Sequence, residues 1–106
     1  MPDLVLILTT VPSPEVGEQI ARALVDEHLA ACVNLLPPMV SIYRWQGQVQ
    51  RDVEQQLVIK TSRTRLADAQ ARLTALHPYD LPECLVLTVD GGDPAYMAWV
   101  AGETEG

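Results

Sequence analysis

Positive charge is scarce in this chain: seven Lys and Arg stand against fourteen Asp and Glu in 106 residues, a formal net charge of −7. A nucleic-acid footprint needs a basic face to neutralise phosphates, so no nucleic-acid partner is expected. The acidic surplus is compatible with metal cations, though solubility is its commoner use. Long apolar runs are missing too. Hydrophobic residues make up 48% of the chain, yet every run falls far short of the roughly 20 residues a membrane span requires. No membrane association is expected. Met-Pro-Asp at the start puts no basic region ahead of an apolar stretch, so no secretory signal is expected either. Cysteine is limited to Cys32 and Cys84, without Cys-x-x-Cys spacing, which fits a reducing cytosol and a cytoplasmic protein. Also absent are repeats, linkers, a Gly-rich phosphate loop, a Ser-His-Asp order and a histidine cluster of metalloenzyme spacing. The expectation is a single domain over residues 1–106 that is not an enzyme. Hydrolase or lyase chemistry through His77 with Glu54 or Glu83 has the least support.

The patterning defines an order of elements. Asp3 to Thr10 is a nearly continuous apolar run with a β-branched tail, suited to a strand buried on both faces. Ser13-Pro14 supplies an N-cap with proline at the first helical position. The helix that follows puts Val16, Ile20, Ala23, Leu24 and Leu29 on one side, with Glu18 and Arg22 paired on the other. His28 falls near its C-terminal end, at the surface. A second helix starts over Thr61 to Arg65 with Ser62 or Thr64 as cap, buries Leu66, Ala69, Leu73 and Leu76, and carries an Asp68–Arg72 pair. Cys84 to Val89 is another apolar strand. Asp93-Pro94 repeats the cap-plus-proline start for a short helix with Tyr96, Trp99 and Val100 on one face, and Glu103 to Gly106 should fray.

Between the first two helices, Ala31 to Leu36 and Met39 to Gln46 read as strand, bent at Pro37-Pro38. Gln46-Gly47 reads as a turn, and Gln48 to Lys60 then runs on without Gly or Pro. That last arm spans about thirteen residues against a usual strand of five or six. Val49, Val53, Leu57 and Ile59 share one face; Gln48, Gln50, Asp52, Glu54 and Gln56 share the other. Its far half, about Tyr43 to Val53, should project from the core and leave an edge that an oligomer would cover. The order is α+β: a ferredoxin-like βαββαβ with an extra C-terminal helix and a long hairpin between its second and third strands. The first and third strands are central, both main helices lie on one face, and the other face is apolar enough to need a partner.

The densest functional chemistry lies in Leu76-His-Pro-Tyr-Asp-Leu-Pro-Glu83. One imidazole, one phenol and two carboxylates sit on a segment that Pro78 and Pro82 pre-shape, and such loops are where binding and catalysis concentrate.

Three blocks, Thr9-Thr-Val-Pro12, Leu29-Ala-Ala-Cys-Val-Asn34 running on to Ser41-Ile-Tyr-Arg-Trp-Gln-Gly47, and His77-Pro-Tyr-Asp-Leu-Pro-Glu83, closely resemble the CutA divalent-cation-tolerance family. Glu54, Ile59-Lys-Thr61 and Asp93 to Trp99 also fit. The resemblance spans residues 4 to 100. It implies a homotrimer similar in architecture to PII signalling proteins, and a link to tolerance of copper or another divalent cation that folding does not require. The family's bacterial copper ligands, a cysteine closing the first strand and two consecutive histidines before Pro-Tyr, correspond here to Thr9, Leu76 and His77. His77 is therefore the one metal ligand carried over. Cys84, beside the His77 loop, is a nearer substitute sulfur than Cys32, and the two cysteines fall on opposite sheet edges. The family blocks also bring Tyr43, Trp45, Glu54, Lys60, Tyr79 and Glu83 toward a cleft between subunits. Two functions follow: a homotrimeric, metal-binding or metal-responsive tolerance protein, or a PII-like sensor that binds a metabolite in that cleft.

Overall fold

The computed structural model describes residues 2–105. Strand β1 (Leu4–Val11) leads into helix α1 (Pro14–Asp26), followed by β2 (Cys32–Leu35), β3 (Met39–Trp45) and β4 (Gln48–Ser62). A 3-10 turn (Arg63–Arg65), helix α2 (Leu66–Leu76), β5 (Leu85–Thr88) and helix α3 (Pro94–Glu103) complete the chain. The sheet runs β2-β4-β1-β5, with β3 paired to the outer half of β4. This is the ferredoxin-like order, with the first strand and the long hairpin arm at the centre. It is antiparallel throughout.

Alternation along β1 and β4 separates two faces. Ile7, Val11, Leu57 and Ile59 point to one side and pack with Ile20 and Leu24 of α1 and Ala69 and Leu73 of α2 as the main core. Gly17 lets α1 lie close on the sheet: a Cβ there would meet Leu35 at 3.1 Å and Val11 at 3.3 Å. On the opposite face, which α3 covers only at the Leu4 end, Leu6 stands across from Leu87 and Leu8 from Leu85, and both β5 leucines are exposed.

The C-terminal third departs from expectation. Met97 and Val100, not Tyr96 and Trp99, face inward and form a small second core with Leu4. Tyr96 and Trp99 remain exposed and pack on each other at 5.6 Å. The expected fraying does not extend to Thr104. Its buried hydroxyl lies 3.0 Å from Ser62 Oγ and 2.9 Å from the Val100 carbonyl, so the chain end is tied to β4; Gly106 lies outside the described residues. His28, exposed with φ 58°, places Nδ1 3.0 Å from the Glu103 carbonyl and joins the ends of α1 and α3. Strand β4 continues through Ser62, so neither Ser62 nor Thr64 caps the second helix through its side chain; they contact each other at 3.1 Å. The Glu18–Arg22 pair forms at 3.8 Å. Asp68 instead pairs with Arg65, three residues earlier, and Arg72 reaches across to Glu27 just after α1, so the i,i+4 pair does not form.

The hairpin is longer than expected, its second arm reaching 15 residues. Gln46 and Gly47 both take positive φ, 50° and 79°, the two-residue turn whose twist matches the flanking strands. The molecule measures 45 × 25 × 23 Å, with the hairpin tip free of the core. Ile42 is 71% exposed and Val49 64%, on the same side as the exposed Val40 and Val53.

Pro37-Pro38 does more than bend the chain. Leu35 pairs with Leu57, but Met39 pairs with Glu54. Three residues, Leu36-Pro37-Pro38, thus oppose two, Gln55 and Gln56, which is a β-bulge. Gln55 Nε2 donates to the Leu36 carbonyl at 2.8 Å and holds this irregular backbone. The extra residue reverses the alternation. Val33 and Leu35 face α1 and α2, whereas Met39, Ser41, Tyr43 and Trp45 turn to the opposite face beside the even-numbered residues of β4.

Candidate functional site

That reversal builds a cleft of about 730 Å³ between the odd residues of β3, the even residues of β4 and the loop after α2. Five of the expected residues, Tyr43, Trp45, Glu54, Tyr79 and Glu83, line it. Prolines shape the loop wall: Pro78 and Pro82 both line the cleft, and His77 ends α2 in an extended conformation (φ −78°, ψ 133°).

Hydrogen bonds fix the polar groups. Tyr79 donates its phenolic proton to Glu54 Oε2 at 2.6 Å. Burial first, and then the Glu54 carboxylate, push the Tyr79 phenol well above its ordinary value. Tyr43 donates to Asp52, and that bond raises its pKa as well. Gln56 Nε2 donates to Glu83 Oε2 at 3.3 Å. Asp52 and Gln56, not counted among the site residues from sequence, are recruited because they share the Glu54 face of β4, a position that period-two alternation marks.

Lys60 is not part of the cleft. It lies farther along β4, 3.3 Å from the Tyr96 hydroxyl and 5.7 Å from the centre of that ring, in a separate, mainly apolar pocket under α3. Ion pairing of Glu54 with Lys60 is thereby excluded in this conformation.

His77 sits behind the cleft, buried. Its Nε2 is 2.8 Å from the Thr10 carbonyl, which can only accept, and its Nδ1 takes the Tyr79 N–H at 3.2 Å. These partners define a neutral imidazole with the proton on Nε2. Its ring packs against Tyr79 with centroids 4.7 Å apart. Both ring nitrogens are therefore committed, and ligating a metal would forfeit one of these bonds. Thr9, at the first family ligand position, is buried on the helix-facing side, and its hydroxyl has no partner. Leu76 packs against the main core. Cys32 pairs with Lys60 at one sheet edge, Cys84 precedes β5 at the other, and both are free. Among the described residues no three His, Cys, Asp or Glu side chains converge on one point. Copper asks for soft sulfur or several imidazoles, so the donors in one chain do not fit a resident copper ion.

Fold and site define a ferredoxin-like α+β protein with a projecting hairpin and an acidic, aromatic cleft. The chain belongs to the CutA1 divalent ion tolerance protein family, whose pattern matches residues 5–103. It is 46% identical over 99 residues to the divalent-cation tolerance protein CutA of Thermus thermophilus, covering 93% of this chain and 96% of that one. The crystal structure of CutA from Xylella fastidiosa superposes with a TM-score of 0.95 at 47% identity, covering 97% and 99% of the two chains. The chloroplastic CutA of Arabidopsis thaliana is 40% identical over 100 residues, but this chain spans only 55% of its length. Among the described residues no helix is long and apolar enough to cross a membrane.

Proposed function

We propose that the chain works as a cytoplasmic homotrimer in divalent-cation tolerance, as a binding protein and not as a catalyst. The observation that carries the assembly is a pair of unpartnered apolar surfaces on one chain: the hairpin face with Ile42 and Val49, and the exposed part of the sheet face opposite α1 and α2, with Leu85 and Leu87. Two different surfaces that cover each other make a head-to-tail contact, which closes into a ring, and three copies form the small ring that the family resemblance implies. The response to copper or another divalent cation rests on the family relationship; an ion-binding set shared between subunits is the reading that the scarcity of converging donors among the described residues of one chain supports.

The second function, a sensor for a small metabolite, is favoured by the cleft, whose volume falls in the range of small-molecule sites. Sedimentation equilibrium tests the assembly, and a monomer at micromolar concentration would overturn it. Titration with Cu(I), Cu(II), Zn(II) and Cd(II) tests the metal. One copper per chain, lost in His77→Ala, would return the site to His77.

A further inference from the structure

Three aromatic side chains wall the cleft, Tyr43, Trp45 and Tyr79, and three carboxylates open into it, Glu54, Asp80 and Glu83. No lysine, arginine or histidine lines it. The seven basic residues are accounted for elsewhere. Arg22, Arg63, Arg65 and Arg72 are in ion pairs outside the cleft, and Lys60 lies over Tyr96. Arg44 and Arg51 alternate onto the opposite face of the hairpin. Among the described residues, no ion pair neutralises Glu54, Asp80 or Glu83.

The hydroxyl protons make the bias sharper. Both tyrosines spend theirs on carboxylates, Tyr79 on Glu54 and Tyr43 on Asp52, and therefore offer a ligand only lone pairs and ring faces. The one amide donor placed by a hydrogen bond, Gln56 Nε2, is turned to Glu83. An anionic ligand would meet three carboxylates with these donors already engaged. A bare metal ion would need three converging ligands, which are not assembled. A positively charged organic group suits the aromatic and charged parts of this surface: ring faces attract it through their quadrupoles, and the carboxylates neutralise it.

We propose that this cleft binds a small organic ammonium ion, held against the faces of Trp45 and Tyr43 with Glu54 and Glu83 as its counter-charges. It rests on the cleft being a binding site, and it specifies the ligand's chemical class. At 730 Å³ the cleft is large for a methylated ammonium head alone and leaves room for an attached chain along Met39 and Leu81.

The test uses the purified protein in its native assembly, with choline as probe and 3,3-dimethylbutan-1-ol as its uncharged isostere of nearly equal shape. The expected result is saturable choline binding by calorimetry, with the isostere weaker by about tenfold or more, as a cation–π contact plus a counter-charge requires. Glu54→Gln, which keeps an acceptor for Tyr79, should weaken choline by about tenfold and leave the isostere unchanged; Glu83→Gln provides the same comparison from the other wall. Trp45→Leu should weaken choline and the isostere together. Equal binding of choline and isostere would overturn the charge preference while leaving the cleft a binding site. Choline binding that emerges only after Arg44 and Arg51 are changed to Ala would overturn it too, since a neighbouring copy's arginine then fills the cleft. If choline, the isostere and succinate all fail to give a signal that Trp45→Leu removes, the cleft reading falls with the proposal.

Discussion

Tyr79 on the loop after α2 donates its phenolic proton to Glu54 on β4 at 2.6 Å, joining two segments 25 residues apart in sequence. The bond closes the floor of the cleft. It also leaves Glu54 a charged wall group and Tyr79 an aromatic one, with no free hydroxyl proton between them.

Tyr79 should impose a pH dependence. Its folded pKa is raised above the ordinary value of 10 by burial and by Glu54, so on alkalinisation the unfolded chain loses this proton first. The stability that Tyr79 contributes is thus complete below pH 10 and shrinks as pH rises toward the folded value. Urea unfolding of Tyr79→Phe should show a loss of about 1 kcal/mol at neutral pH that narrows in the alkaline range. Curves for the two proteins that stay parallel there would count against the linkage.

His77 should behave as a brace. Its imidazole joins the Thr10 carbonyl to the Tyr79 N–H, so His77→Ala leaves a buried acceptor and a buried donor unpaired. A loss of about 1–3 kcal/mol is expected, with faster amide exchange at Tyr79. Copper affinity should not change. A variant as stable as the parent but unable to bind copper would assign His77 to a metal after all.

Ile42 should report on assembly. It is 71% exposed on the hairpin's apolar face, so Ile42→Lys costs the isolated chain little. In an assembly that covers this face it forfeits about 1.5–3 kcal/mol per interface and adds the cost of burying a charge. Sedimentation should show dissociation, with an unchanged far-ultraviolet spectrum. An intact oligomer would place the interface elsewhere.

Thr104 should matter despite lying two residues from the chain end. Its buried hydroxyl contacts Ser62 and the Val100 carbonyl. Thr104→Val keeps the shape and removes the hydroxyl, with an expected cost of about 1 kcal/mol. Chemical denaturation measures it, and no change would mean that Ser62 finds a replacement partner.

The elements were legible where local chemistry and tertiary packing agree. Ser13-Pro14 caps α1 and Asp93-Pro94 caps α3, with the Ser13 and Asp93 side chains accepting from the third residue on. Alternation placed Leu57 and Ile59 in the core and Glu54 on the opposite face. Ion pairs were less legible, because Arg72 could reach Asp68 or Glu27 and only the packing of α1 beside α2 decides. The same ambiguity affected α3: its three large residues fit one stripe as well as another, and contact with Leu4 selects Met97 and Val100.

By itself the sequence determined the order of elements, the existence of a long hairpin, the acidic balance and the family, since each follows from composition, periodicity, turn residues or an ordered motif. Tertiary structure alone decided which polar groups meet across the fold. The bulge at Leu36-Pro37-Pro38 shifts the register by one residue, and with a side-chain period of two that shift moves Tyr43 and Trp45 to the face of Glu54. Lys60, at even spacing on the same strand, lies at its other end beneath α3, where its ammonium donates to the Tyr96 hydroxyl. His77, the most reactive group in its motif, became a brace because the end of β1 presents the Thr10 carbonyl to its Nε2. Pairing between distant strands sets these relationships, and no local pattern carries it.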